Sequence, residues 1–232
     1  MTIKNVVVDL GGVLINLKYQ LTSEAFRKLG VTNFDELYTQ HAQVELFSQF
    51  ETGKITSEEF RFQLRERLDL IVSDEKLDAA WNAMLLDLNK AALEHLKCLY
   101  MNSGYNVILF SNTNEIHLKA FQEICQRELG QPNLKGFLHK EYYSCRYGKM
   151  KPYPESFTAL LEENGFKASE TIFFDDTDRH IKGAQAAGLH TYHIANGKTL
   201  SDGINSIEAL NVKLLSEERR VEEQARERVG YR

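Results

Sequence analysis

Apolar runs in this chain stop repeatedly at small or acidic polar groups, and that repetition constrains the fold more than any other feature. Val6-Val7-Val8 gives way to Asp9-Leu10-Gly11-Gly12, and Val107-Ile108-Leu109-Phe110 to Ser111-Asn112. Ile172-Phe173-Phe174 gives way to Asp175-Asp176, and His190-Thr191-Tyr192-His193-Ile194 to Ala195-Asn196-Gly197. Short apolar runs bounded by turn residues read as buried strands. Between them lie stretches with helical spacing, at about 90–103, 115–129, 154–164 and 180–187. Strands that alternate with helices predict an α/β fold, with a parallel sheet covered by helices on both faces.

Residues 18–88 depart from this pattern. They carry no strong strand signal, but they do carry helical spacings such as Leu21-Phe26-Leu29 and Phe60-Leu64-Leu68. Ser57, followed by Glu59 and Phe60 and preceded by Gly53-Lys54-Ile55-Thr56, fits a helix start. A helical block of ~70 residues is therefore expected to interrupt the α/β unit just after its first strand. An insertion at the C-terminal end of a strand lies above the place where such sheets bind ligands. The expected division is 1–17 and 89–212 for the α/β core, 18–88 for the helical insert, and 213–232 for a charged helix or tail. In that last segment Glu and Arg alternate as on a solvated helix face.

Composition excludes several classes of function. The 232 residues are 43% hydrophobic and 26% charged, which rules out disorder for most of the chain. No apolar run approaches the ~20 residues that span a bilayer, so no membrane association is expected. The net charge is −5 with Lys and Arg spread along the chain, which argues against nucleic acid as a partner. Met1 to Asn5 is too short for a signal peptide, and Cys98, Cys125 and Cys145 form no disulfide framework. Both point to a reducing, cytoplasmic setting.

The chemistry is concentrated where the apolar runs stop. In a parallel sheet the strand C-termini share one edge, so Asp9, Ser111, Asp175 and Asp176 are expected to converge. Adjacent carboxylates at Asp175-Asp176 repel one another, and Mg²⁺, which accepts carboxylates, carbonyls and waters, would remove that cost. Ser111 at a strand-to-helix turn can hold an oxyanion together with the backbone N–H groups of the helix start. Lys151 sits in Lys151-Pro152-Tyr153-Pro154, which holds two of the chain's three prolines and fixes the chain direction around the lysine.

Taken in order, these elements resemble the haloacid dehalogenase-like hydrolase superfamily. The matching segments are Val7-Val8-Asp9-Leu10-Gly11-Gly12-Val13-Leu14, Leu109-Phe110-Ser111-Asn112, Lys151-Pro152-Tyr153-Pro154 and Phe173-Phe174-Asp175-Asp176. The helical insert is similar to the small helical cap of that superfamily, and only the charged tail falls outside the resemblance. Ser111-Asn112-Thr113-Asn114-Glu115-Ile116-His117, with Leu10-Gly11, is similar to the glucose-1-phosphate phosphatase branch. The resemblance implies a Rossmann-like three-layer core with an inserted cap. It implies a Mg²⁺-dependent phosphatase of a small phosphorylated metabolite such as a sugar phosphate. Asp9 would be the nucleophile that forms an aspartyl-phosphate. Mg²⁺ would sit on the Asp9 carboxylate, the Gly11 carbonyl and Asp176, with Asp175 helping directly or through water. Ser111, Asn112 and Lys151 would hold the phosphoryl group, Lys151 also offsetting its charge. The cap would exclude water and select the leaving group.

One position departs from the family pattern. Most phosphatases of this superfamily carry a second aspartate two residues after the nucleophile, and here that position is Gly11. Loss of a general acid/base typically costs ~10²–10⁴ in rate. His180, His117 or a group in the 35–51 stretch are the candidate replacements. Two alternatives share the departure: a metal-independent 2-haloacid dehalogenase, and a catalytically weak binder of phosphorylated metabolites. The paired acidic motif speaks against the first, and the intact Asp9, Ser111, Lys151 and Asp176 against the second. Trp81 is expected to be a packing residue and Cys145 an inert thiol.

Overall fold

The structure, a computed structural model, describes residues 2–31, 34, 45–102 and 104–230. Its strands are β1 (Asn5–Val8), β2 (Ile15–Leu17), β3 (Leu85–Leu88), β4 (Asn106–Ser111), β5 (Lys140–Tyr143), β6 (Thr171–Asp175) and β7 (His190–His193). Its helices are α1 (Tyr19–Lys28), α2 (Glu45–Glu51), α3 (Ser57–Leu68), α4 (Asp74–Asn82), α5 (Lys90–Met101), α6 (Glu115–Leu129), α7 (Ser144–Tyr147), α8 (Pro154–Asn164), α9 (Asp178–Ala186) and α10 (Leu200–Gly230).

Five strands form a parallel sheet in the order β5-β4-β1-β6-β7. β1 is central, so all of its side chains are buried and it reads as an unbroken valine run. Alternation along the strand divides the core into two layers. Val6 and Val8 pack with Leu96, Leu109, Phe121 and Phe174, and Val7 packs with Ile108, Phe157, Phe173 and Ala184. Helices α5, α6 and α10 supply the first layer, and α8 and α9 the second. This is the three-layer, Rossmann-like arrangement that the sequence predicts. Val8 pairs with Leu109 on one side and Phe174 on the other. That register sets Asp9 level with Phe110 and Asp175 at one edge of the sheet, with Ser111 a residue further on.

Two strands and one edge were not expected. β2 and β3 form a separate antiparallel ribbon, with Ile15 opposite Leu88 and Leu17 opposite Leu85. β3 falls inside the stretch read as purely helical, because Leu85-Leu86-Asp87-Leu88 has no alternation to separate a strand from the adjoining helices. β5, Lys-Glu-Tyr-Tyr, lacks an apolar run because it is an edge strand with a partly exposed face. At the other end of the chain, α10 runs without a break through residue 212. Leu200 and Ile207 bury it against the core, and from Leu215 onward its described side chains are exposed.

Between β2 and β3 the helices pack around an aromatic cluster of their own: Phe26, Phe34, Phe47, Phe50, Phe60 and Trp81. Phe26 stacks on Phe34 at 4.0 Å, and Phe50 on Phe60 at 4.1 Å. α3 starts at Ser57, the expected position, where Thr56 as N-cap and Glu59 form a reciprocal capping box. The cluster also takes in Ile116 of α6, which ties the insert to the helix following β4. Among the described residues, no helix is long and apolar enough to cross a membrane.

Candidate active site

A cavity of about 160 Å³ opens at the C-terminal edge of the sheet. Asp9 and Gly11 reach it from the turn after β1, and Ser111 and Asn112 from the turn after β4. Asp176, Arg179 and His180 reach it from the start of α9, while Tyr19, Phe47, Glu51 and Met84 close it from the insert side. The convergence expected of the strand ends is therefore present. Arg179 and the insert residues carried no signal that a single sequence could show, since their roles depend on how the insert sits over the sheet. Residues 35–44, part of the stretch considered for a replacement acid, lie outside the described residues.

Lys151 does not line the cavity. It is wholly enclosed, with Nζ 2.7 Å from Asp9 Oδ1 and 2.6 Å from Asp175 Oδ2. The rings of Phe173 and Phe110 flank the ammonium, with centroids at 5.3 and 5.9 Å. The lysine thus stands behind Asp9 and meets the cavity only through that carboxylate. Asn112 fixes its place: the Asn112 side-chain amide donates to the Lys151 carbonyl at 2.8 Å and accepts from the Lys151 N–H at 2.9 Å. Asn112 is thus engaged in holding Lys151 as well as facing the cavity. The Ser111 hydroxyl has only a long contact, 3.4 Å to the Asn112 carbonyl, and remains available to a ligand.

Asp175 is also enclosed. It accepts from Lys151, from the Thr177 N–H at 2.7 Å and from His180 Nδ1 at 3.0 Å. Burial alone would raise its pKa, but Lys151 and His180 outweigh burial and hold it at about 2. The two strand-end carboxylates that face the cavity behave oppositely. Burial pushes Asp9 up to about 8; Lys151 opposes that rise, and Asp175 and Asp176 add to it. Burial, with Asp175 next, raises Asp176 as well. Burial and the neighbouring carboxylates thus leave the charged forms of Asp9 and Asp176 under-compensated, even with Lys151 beside Asp9.

A hard divalent cation fits that imbalance. Asp9, Asp176 and the Gly11 carbonyl are oxygen donors of the kind Mg²⁺ accepts, and they line one cavity. Among the described residues, Asp9, Asp175 and His180 also bring ligand atoms within 4.8 Å of one another. There, however, the Lys151 ammonium already bridges the two carboxylates. Gly12 makes room for the Asp176 carboxylate: its φ is +71°, and a Cβ there would lie 2.1 Å from Asp176 Oδ2. Only glycine allows both that conformation and that approach.

The two histidines separate clearly. His117 Nδ1 meets Asn114 Nδ2 at 3.1 Å, and its Nε2 meets the Trp81 carbonyl at 3.2 Å. Burial lowers its pKa to about 4, and both nitrogens are occupied. Trp81 stacks on His117 at 5.0 Å and on Phe47 at 5.4 Å, which makes it a packing residue. His180 lines the cavity with Nδ1 on Asp175, and its buried Nε2 has no partner. The Cys145 thiol is pushed by burial up to about 12, so it is inert near neutral pH.

Comparison with known proteins gives results of the same kind. Residues 3–188 match a family model described as a hydrolase, haloacid dehalogenase-like hydrolase. A D-ribitol-5-phosphate phosphatase from Bacteroides thetaiotaomicron is 31% identical over 198 residues, covering 84% of this chain and 93% of that protein. Among solved structures, a HAD family enzyme from B. thetaiotaomicron, crystallised as wild type with magnesium and inorganic phosphate, has a TM-score of 0.75 and 38% identity. That match covers 84% of this chain and 96% of the other. A HAD-like family hydrolase from Porphyromonas gingivalis also gives a TM-score of 0.75, at 29% identity, covering 93% of this chain and 98% of the other.

Proposed function

This chain belongs to the haloacid dehalogenase-like hydrolases, and we propose that it is a Mg²⁺-dependent phosphatase of a small sugar or polyol phosphate, acting through Asp9. The observation that carries this reading is the wall of the cavity. Two carboxylates, Asp9 and Asp176, face it with raised pKa values, and one buried lysine backs the first of them. The relative named for D-ribitol 5-phosphate and the related enzyme crystallised with magnesium and phosphate support the same class. The name of the curated relative points to a polyol phosphate, so the narrower likeness to the glucose-1-phosphate branch is not carried further. Three free cysteines suit the cytoplasmic setting read from the sequence.

In this reading Asp9 attacks phosphorus, a carboxylate oxygen–phosphorus bond forms, and the ester oxygen leaves with the electron pair of the broken P–O bond. Lys151 holds one Asp9 oxygen, fixes the rotamer and offsets negative charge as the phosphoryl group arrives. Ser111 donates its hydroxyl to a phosphoryl oxygen. Asp9, Asp176 and the Gly11 carbonyl would hold Mg²⁺, which when bound neutralises charge between nucleophile and phosphate. Gly11 has no side chain to carry a proton, and that work passes to His180. With Nδ1–H on Asp175, its Nε2 faces the cavity: it gives a proton to the leaving oxygen in the first step, then takes one from the water that attacks phosphorus and breaks the Asp9 O–P bond. Asp175 orients the imidazole and Lys151 together and is assigned no direct bond to the metal. Residues 18–88 act as the cap over the α/β core of 1–17 and 89–212.

Phosphate release from a panel of sugar phosphates, polyol phosphates and p-nitrophenyl phosphate tests the proposal, with Mg²⁺ and with EDTA. Turnover that needs Mg²⁺ and disappears in Asp9→Asn is the expected result. Chloride release from 2-haloacids without metal would overturn it in favour of a dehalogenase. Tight ligand binding with no turnover would overturn it in favour of a binding protein.

A further inference from the structure

Arg179 is a cation in the cavity wall that neither the sequence motifs nor the proposed chemistry uses. It lies in the first turn of α9, at the edge of the sheet that also carries Asp9, Ser111 and Asp176. It is half-buried, its Nε is enclosed without a hydrogen-bond partner, and it makes no ion pair with any described residue. A guanidinium offers five donors in a rigid fork and is always charged, so leaving the enclosed Nε–H unmatched is costly unless a ligand completes it. Thr177 and Asp178, its neighbours, are engaged elsewhere: the Thr177 hydroxyl on Asp176 and the Asp178 carboxylate on Lys182.

The phosphoryl end of the cavity already has its complement in Asp9 with Lys151 behind it, Ser111 and Asp176. The rest of the substrate has to be held elsewhere in the cavity, whose remaining charged walls are Arg179 on the core side and Glu51 on the insert side. We infer that Arg179 is a specificity-determining residue that grips oxygens of the leaving group, selecting an uncharged, polyhydroxylated one. Hydroxyl oxygens accept from the guanidinium, and hydroxyl protons can donate to a carboxylate such as Glu51, so a polyol is compatible with both walls. A second phosphate or a carboxylate on the leaving group would satisfy Arg179 but would meet like charge at Glu51 and Asp176. This inference rests on the phosphatase reading for the site and adds the substrate's other half.

The test compares Arg179→Met and Arg179→Lys with the unaltered chain on three substrates in the presence of Mg²⁺. These are a five-carbon polyol phosphate, a phosphate of the same length ending in a carboxylate, and p-nitrophenyl phosphate, which has no hydroxyls. Loss of a charge-assisted hydrogen bond should raise KM for the polyol phosphate about tenfold or more in Arg179→Met. The same variant should leave p-nitrophenyl phosphate within about twofold, and Arg179→Lys should restore part of the loss. An equal loss on both substrates would place Arg179 on the phosphoryl group and overturn the inference. So would no loss on either, or a preference of the unaltered chain for the carboxylate-bearing substrate. Binding of the polyol phosphate by calorimetry in an Asp9→Asn background, with and without Arg179→Met, reads the same contact without turnover. An equal affinity in the two would overturn the inference too. Failure of the underlying phosphatase reading looks different, since the unaltered chain would then leave p-nitrophenyl phosphate intact.

Discussion

Replacing Lys151 with Met removes the positive charge while keeping an apolar stem between Phe110 and Phe173. The ammonium is wholly enclosed and lies 2.7 and 2.6 Å from two buried carboxylates. Breaking a buried pair by deleting one partner costs about 3–5 kcal/mol, because the other charge is left uncompensated. For a chain of this size each kcal/mol moves Tm by about 2–4 °C, so the expected fall is roughly 6–20 °C at neutral pH. The pH dependence separates lost charge from lost packing. In the unaltered chain Asp175 sits at about 2, below its unfolded value. Its contribution to stability is present above the unfolded pKa and is lost as pH falls toward 2. In Lys151→Met the unpaired carboxylates titrate upward, so acidification lets one of them take a proton and relieves the strain. Thermal melts between pH 8 and pH 5 should therefore show the gap between variant and parent narrowing as pH falls. Adding Asp175→Asn should cost less in the variant than in the parent, a coupling that a double-mutant cycle measures. Turnover should fall by about 10²–10³. A variant that melts within a degree or two of the parent, with a gap indifferent to pH, would refute this role for Lys151.

Two further perturbations test other parts of the site. Gly12→Ala should weaken Mg²⁺ activation about tenfold, read from the metal concentration giving half-maximal rate, because its Cβ would lie 2.1 Å from Asp176 Oδ2. Gly148→Ala is the control: it has a similar φ of +72° and open space around it, so it should cost about 1–2 kcal/mol of stability with no effect on the metal. His117→Gln tests the buried junction between insert and core. Burial takes the His117 pKa from 6.5 to about 4, so the unfolded chain binds that proton first. Stability should be whole above pH 6.5 and fall as pH drops toward 4, by about 3 kcal/mol at 1.36 kcal/mol per pH unit. Denaturant melts should show this part of the acid sensitivity missing from His117→Gln, and equal slopes in the two proteins would contradict the assignment.

The central strands and the site edge were legible because burial on both faces leaves an unmistakable record in sequence. Val6-Val7-Val8 and Phe173-Phe174 admit no alternation, and the polar groups that follow them must sit at the strand ends. β5 and the β2–β3 ribbon were illegible for the complementary reason: half-exposed or very short strands need no continuous apolar run. Lys151 and Asp175 were expected at the site, but which of them faces the ligand was not readable. That depends on side-chain direction, and both point into the core behind Asp9. The choice between His117 and His180 needed the same knowledge, since a free Nε2 differs from a satisfied one only by its neighbours. Arg179 was invisible for a further reason. An arginine in the first turn of a helix is ordinarily a solvated charge, and nothing in the sequence shows that this one's Nε is enclosed in the cavity wall.

The most direct test of the account is whether phosphate passes through Asp9. The unaltered chain would be mixed with Mg²⁺ and its best substrate and quenched rapidly in acid. The peptide carrying Asp9 would then be weighed by mass spectrometry. The account predicts a phosphoryl adduct on Asp9 that forms and decays at the rate of turnover and is absent from Asp9→Asn along with phosphate release. Sustained phosphate release by Asp9→Asn, or an adduct on another residue, would contradict it.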